Sequence, residues 1–331
     1  MKEIFIKDLL KYCNQEINIS VLVKEITESS NRLQNQWQDV IITDASGDAA
    51  LKLWAENMSE EYYNYVGKVV DVLGRVTLYQ SRPVIEAANL SPKEVVSWKD
   101  YVIMLDEKKK ETFVAYIKEK IAMVKKDDVR LGNLLAKIFT KNRIEEMAKC
   151  PGGEKEHNYF GALLEHTVDV CERAIDLIVS YDKAKAFKPY GSNINKSLVI
   201  AAALLHDVGK LNYFCGFPKV CKSQRGRLIE SKVDSILFTT MLNNSLENKV
   251  LDLAPLNHII LTADSNNEYM QQPITIEAII VNQANLDSVK MDLFDSTFFE
   301  YDRICATERD YIYSKKAKQS FIRSGKESKL C

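Results

Sequence analysis

An uninterrupted apolar run from Leu198 to Leu205 leads directly into His206-Asp207, and this junction constrains the chain more than any other stretch. With no Gly or Pro before Gly209, the run reads as a buried helix that delivers an imidazole and a carboxylate at its C-terminal end. Burying such a pair without partners costs several kcal/mol, and adjacent His and Asp are a natural nitrogen-plus-oxygen ligand set for a divalent cation. Helical neighbours point in different directions, so one ion can be shared only where the helix ends or distorts, a departure that Gly209 permits. Taken alone, the dipeptide also suits a capping aspartate beside a hydrogen-bonded core histidine.

The rest of the chain narrows that choice. All four histidines, His157, His166, His206 and His258, lie between Cys150 and Ile260. A helix from Tyr159 to Ser180, starting after Pro151-Gly152-Gly153, carries His166 on the turn above Ala162 and Leu163 and aims it at the interior that the first helix reaches. His166, His206 and Asp207 together supply three ligands for a first-row metal from facing helices, whose geometry holds the spacing.

Upstream the pattern changes. Ile17 to Glu25, Val40 to Thr43, Ala49 to Trp54, Val69 to Leu78 and Val84 to Ala88 read as short strands, punctuated by Asp44-Ala-Ser-Gly47-Asp48, Gly74 and Pro83. Five strands in so short a span predict a small barrel. The string Ile-Thr-Asp44-Ala-Ser-Gly47-Asp-Ala-Ala-Leu-Lys52-Leu-Trp54, followed by Gly67-Lys-Val-Val-Asp-Val-Leu-Gly74-Arg75-Val, resembles the nucleic-acid-binding type of OB-fold. That resemblance implies stacking faces at Trp37, Trp54 and Tyr79, with Arg32, Lys52, Arg75 and Arg82 meeting phosphates. Trp54 equally suits the core beside Leu51 and Leu53, and the basic residues suit ordinary solvated positions.

From Ser91-Pro92 onward the chain turns rich in Lys, Glu, Leu and Ile, with no Gly between Lys93 and Leu131. Phe113, Tyr116, Ile117, Ile121 and Val124 recur at helical steps, as one buried stripe should. The expected organisation is multidomain: a barrel over residues 1–92, a helical connector over 93–150, a helical domain over 151–315 and a polar tail over 316–331. At 331 residues the chain is too long for one ordinary core. A formal net charge of −1 decides nothing about nucleic acid, because a local basic groove can hide in a balanced total. Seven scattered cysteines without a Cys-x-x-Cys pair suit free thiols, and the start Met-Lys-Glu-Ile-Phe-Ile-Lys has no apolar signal core; together they predict a cytoplasmic protein with no membrane partner.

The runs Leu163-Leu164-Glu165-His166-Thr167 and Leu204-Leu205-His206-Asp207-Val208-Gly209-Lys210 resemble the HD superfamily of metal-dependent phosphohydrolases. The longer string His157-Asn-Tyr-Phe-Gly161-Ala-Leu-Leu-Glu-His166-Thr, behind an OB-like domain, is similar to the YhaM-type exoribonucleases, in the same domain order over nearly the whole chain. The resemblance implies an N-terminal OB-like β-barrel followed by an all-α HD domain, with single-stranded RNA or DNA as partner. It implies His166, His206 and Asp207 as metal ligands, with His206 and Asp207 catalytic and His258 a further ligand candidate. Lys210 suits a catalytic role in neutralising developing phosphate charge, and equally suits a cation that merely favours a helix C-terminus. It also implies a divalent metal, Mn, Mg or Fe.

Three departures accompany the match. Where that family has a further histidine, Gly226-Arg227-Leu228-Ile229-Glu230-Ser231 ends in serine; His258-Ile-Ile-Leu-Thr262-Ala263-Asp264 keeps only its first histidine; and Ala284-Asn285-Leu286-Asp287 has alanine where an aspartate is expected. One ion is therefore expected rather than two, with Asp264 or Asp287 as substitute oxygen ligands. Two functions follow: a metal-dependent 3'-5' exoribonuclease or phosphodiesterase with a reduced site, or a catalytically degenerate HD protein acting as an RNA-binding or regulatory accessory. The oligomeric state, a homo-oligomer included, is left open.

Overall fold

A computed structural model describes residues 2–31, 35–80, 82–95, 97–187, 190–218, 220–266, 269–304, 311–314 and 316–322. The chain divides into two compact units, one of Met1–Met104, Gly216–Lys219 and Phe294–Cys331, the other of Leu105–Cys215 and Val220–Leu293.

In the first unit, β1 (Glu16–Ser30), β2 (Gln36–Asp44), β3 (Gly47–Trp54), β4 (Val69–Tyr79) and β5 (Arg82–Pro92) close into a barrel in the order β1-β2-β3-β5-β4. All pairings are antiparallel except β3 with β5, and β1 closes the sheet by pairing with β4. Such a five-stranded Greek-key barrel is the OB-fold arrangement. The strands alternate as a small barrel requires: Val40, Ile42, Leu51, Leu53, Val72, Val76 and Ile85 fill the interior. Gly74 sits at the register shift between β4 and β5, and a Cβ there would lie 2.6 Å from the Glu86 carbonyl oxygen, so only glycine lets the strands approach. In the same unit Phe298 and Ile312 pack with Phe294 and Phe321, anchoring a hairpin of β8 (Tyr311–Ser314) and β9 (Gln319–Ile322). β9 lies inside the stretch read from its polarity as a tail; Phe321 is the apolar contact that composition obscures.

The second unit is helical. Its helices are α1 (Glu107–Asp127), α2 (Val129–Ile138), α3 (Lys141–Met147), α4 (Ala162–Lys185), α5 (Lys196–Leu205), α6 (Lys210–Tyr213), α7 (Gln224–Leu228), α8 (Ser231–Asn244), α9 (Ala254–Thr262) and the first part of α10 (Ile276–Ile304), with one short hairpin of β6 (Phe214–Cys215) and β7 (Cys221–Lys222). α5 lies at the centre and packs on α1, α2, α4 and α9. Its residues from Val199 to Leu205 are all buried, as a helix apolar on every side must be. α1 to α3 share that core through Ile117, Val124, Leu131, Leu134, Ile138 and Met147. No helix among the described residues is long and apolar enough to cross a membrane.

Candidate functional site

α5 is capped by Asn195, whose side chain accepts from Leu198 N, and ends at Leu205. His206 and Asp207 therefore sit in the turn between α5 and α6, where successive side chains can converge. α4 is preceded by Gly161, whose φ of 94° is open to glycine and whose Cβ would meet Leu105 at 2.5 Å. That entry sets His166 opposite the turn. His166 Nε2 and His206 Nε2 lie 3.2 Å apart, and each is 3.3 Å from Asp207 Oδ2. All three residues are buried.

The imidazole of His206 presents a lone pair to this triangle. His206 Nδ1 lies 2.8 Å from the Ala203 carbonyl oxygen; a carbonyl only accepts, so Nδ1 carries the proton and Nε2 is bare in the neutral ring. His166 Nδ1 is 3.0 Å from Ser288 Oγ, which is also 3.3 Å from His157 Nε2. Burial above all keeps His166 and His157 neutral, lowering both pKa values to about 4. Asp207 Oδ2 has no hydrogen bond, although Lys210 Nζ approaches it as an ion pair at 2.6 Å.

This donor set fits a divalent ion. Nitrogen and oxygen ligands at roughly 2.0–2.2 Å from a metal stand about 3.0 to 3.5 Å from one another. The observed edges fall in that range. His166, His206 and Asp207 are the one such group among the described residues.

Two lysines flank the triangle. Lys210 also donates to the Gly152 carbonyl, while Lys232 Nζ lies 2.8 Å from Asp207 Oδ1 and 3.1 Å from Asp264 Oδ1. Burial opposes ionisation of Asp207, yet Lys210 and Lys232 hold its carboxyl well below the usual range. Burial likewise opposes charge on Lys210, and Asp207 and Asp264 override it, so the Lys210 pKa is raised.

The further ligand candidates do not join the group. His258 Nε2 accepts from Ile274 N at 3.1 Å, which occupies its lone pair. Asp287 accepts from Gln283 Nε2 at 2.7 Å, one helical turn away. The inward face of α10 is Val281, Ala284, Asn285 and Ser288, so Asp287 points off it. Ser231, Ala263 and Ala284 bring no imidazole or carboxylate to the site. Asp264 is held by Lys232 and by Asn285 Nδ2. Neither Lys232 nor Ser288 was reached from the sequence, and His157 was taken only as the start of the motif string. The spacing of Ala284, Asn285, Ser288 and Asp292 marks one helical face, and that was the available signal for Ser288; a lysine near a helix start carries none.

On the barrel, Lys52 Nζ stands 5.0 Å from the Trp37 ring centre, 5.6 Å from Trp54 and 5.5 Å from Tyr79. Trp37 pairs with Trp54 across β2 and β3, their rings 5.8 Å apart. Trp54 shares the outer face with Lys52, while Leu51 and Leu53 point inward, so it is not core. A cleft lined by Asn35, Gln36, Trp54, Ala55 and Glu56 opens beside it. Tyr79 is 61% exposed and pairs with Arg82, which is exposed. Arg75 is exposed too, but its Nε donates to the Asn14 carbonyl. Arg32 lies outside the described residues.

A closed barrel of OB strand order is followed in one chain by a helical unit with a His-His-Asp cluster at a helix end. The chain resembles the YhaM-type 3'-5' exoribonucleases over most of its length. It is 21% identical over 311 residues to "3'-5' exoribonuclease YhaM" of Oceanobacillus iheyensis, covering 92% of this chain and 93% of that protein. It is 23% identical over 298 residues to the Bacillus subtilis protein of the same name, covering 87% and 89%. No family model matches the chain. Among solved structures, the second OB-fold domain of replication protein A from Methanococcus maripaludis is 20% identical, with a TM-score of 0.18, over 26% of this chain and 89% of that one. The OB assignment rests on the strand order.

Proposed function

We propose that the chain is a metal-dependent 3'-5' exoribonuclease or related phosphodiesterase acting on single-stranded nucleic acid, with His166, His206 and Asp207 holding one divalent ion. The triangle of Nε2 and Oδ2 atoms at metal-ligand spacing carries this reading. The ion, when bound, would lower the pKa of a water and polarise the phosphodiester. Ser288 and the Ala203 carbonyl orient the two imidazoles. Lys210, kept charged beside Asp207, can meet a phosphate oxygen as negative charge develops there. On the barrel, Trp37, Trp54 and Tyr79 offer faces on which bases stack, and Lys52 and Arg82 offer charge for phosphates. Relatives named as exoribonucleases over most of the chain support the direction of cleavage and the choice of RNA.

The test is single-turnover digestion of a 5'-labelled single-stranded RNA with Mn²⁺, alongside His166→Ala. Stepwise shortening from the 3' end that the variant lacks is expected. One observation favours the second reading, a degenerate RNA-binding accessory: Lys210 and Lys232 already balance Asp207 and Asp264. No shortening, with oligonucleotide binding retained, would establish that reading instead.

A further inference from the structure

Lys232 is placed against both of the general rules for its type. It is the second residue of α8, where the helix dipole disfavours a cation, and it is 7% exposed, although lysine is almost never buried unless paired. Its position is enforced. Ser235 Oγ accepts from Gly209 N at 2.8 Å and donates to the His206 carbonyl at 3.1 Å, which ties α8 to the turn carrying His206 and Asp207. A Cβ on Gly209 would lie 2.2 Å from the Ser231 carbonyl oxygen, so the contact has no slack. What stabilises the buried ammonium is a carboxylate on each side, Asp207 Oδ1 at 2.8 Å and Asp264 Oδ1 at 3.1 Å.

Asp207 thus divides its two oxygens. Oδ2 faces the imidazole pair, with Lys210 Nζ beside it at 2.6 Å, and Oδ1 faces Lys232. A carboxylate with one oxygen toward each of two cations is the bridging arrangement of two-ion hydrolases, whose metals lie ~3.5–4 Å apart. Here one of the two positions is already filled by a side chain. We propose that the Lys232 ammonium stands in the place of a second divalent ion between Asp207 and Asp264, limiting the site to one exchangeable metal. The inference rests on the one-ion reading above and specifies it. It also accounts for Asp264, a carboxylate beside the site that serves the lysine rather than the ion. The exclusion is positional: an ammonium already stands 2.8 Å from Asp207 Oδ1 and 3.1 Å from Asp264 Oδ1, and a second dication placed between them would face it directly.

The experiment is titration of Mn²⁺ into the metal-free full chain, followed by calorimetry and by electron paramagnetic resonance of bound manganese. The parent should take one ion per chain and Lys232→Arg the same. Lys232→Gln should take a second ion, with the spin-coupled signal of a neighbouring pair, or bind the first at least tenfold more tightly. The double variant Lys232→Gln, Asp264→Asn should return to one ion. Asp264→Asn alone should leave the parent count unchanged, which tests the proposal even where Lys232→Gln fails to fold by circular dichroism. Two ions in the parent, one ion of unchanged affinity in folded Lys232→Gln, or loss of metal in Asp264→Asn would each overturn the inference while leaving a metal site standing. No ion in the parent and no change on His166→Ala would remove the one-ion reading and the inference together.

Discussion

Between His157 and His166 stands a single hydroxyl, that of Ser288, and all three groups are buried. The two imidazoles are kept neutral, first by burial, with pKa values lowered to about 4 from an ordinary 6.5. The unfolded imidazole takes up its proton near 6.5 and the folded one only near 4, so between those values the unfolded chain binds more protons. Stability of the metal-free protein is therefore complete above that window and falls as pH drops through it, by on the order of 3 kcal/mol per imidazole. His157 has a φ of 47°, a conformation that asparagine tolerates well. Urea denaturation of His157→Asn from pH 7 to pH 4.5 should show a clearly shallower loss than the parent; equal slopes would mean that His157 does not set the dependence. Asp207 invites a different expectation. Truncating it strands the Lys210 and Lys232 ammoniums, so Asp207→Ala should lose about 3–5 kcal/mol of stability as well as metal. His166→Ala, which leaves both ion pairs intact, should lose metal with a smaller change in melting temperature. Equal destabilisation of the two variants would show that the lysines are not paired through Asp207.

The elements that matter most are the ones that press α8 and α10 onto the site. Gly209 admits the start of α8, and the atoms a Cβ would meet, Ser231 O at 2.2 Å and Ser235 N at 2.5 Å, are backbone and cannot swing aside. Gly209→Ala should therefore cost about 1–3 kcal/mol and move Lys232 relative to Asp207. Gly67→Ala is the control: its φ of 82° strains alanine, but nothing lies within 4 Å of the added atom. Thermal melts with Mn²⁺ titration should show both variants less stable and only Gly209→Ala altered in metal affinity. Unaltered affinity in Gly209→Ala would show that α8 is not positioned by this contact. α10 acts through the hydroxyl of Ser288 and the carboxylate of Asp292, which accepts from His157 N at 2.6 Å.

At the scale of the whole molecule, the proposed binding and the proposed hydrolysis fall to different units. The exposed aromatic and basic face of β2 to β5 belongs to the barrel unit, and the ligand triangle belongs to the helical one. Trp54→Ala with Tyr79→Ala should weaken oligonucleotide binding by about 1–3 kcal/mol for each stacked base lost and leave Mn²⁺ binding unchanged. Lys52→Ala should reduce the salt dependence of binding. His166→Ala should retain affinity and lose cleavage. Fluorescence anisotropy across a salt series, beside the digestion assay, separates these outcomes, and unchanged affinity in the aromatic double variant would remove the barrel face as the binding surface.

What could be read from the sequence is what local spacing controls. Partial alternation over Ile17 to Glu25 and the turn Asp44 to Asp48 between two short runs predicted barrel strands, and the apolar run ending at His206 predicted a buried helix, because side-chain direction repeats with a period that the backbone imposes. Covalent adjacency placed His206 beside Asp207, and helical phase brought His166 toward them. The bounds were less legible: α4 starts at Ala162 rather than Tyr159, where Gly161 adopts its left-handed conformation. Only the tertiary structure decided that Trp54 faces outward with Lys52, that His258 gives its lone pair to Ile274 N and that Asp287 lies off the inner face of α10. It alone placed Ser288 against His166, 122 residues away, and Lys232 against Asp207, 25 residues away. Those pairings depend on how α8 and α10 pack on α4 and α5. Packing responds to the summed shape and charge of a whole face, and no periodicity within a single segment encodes that sum.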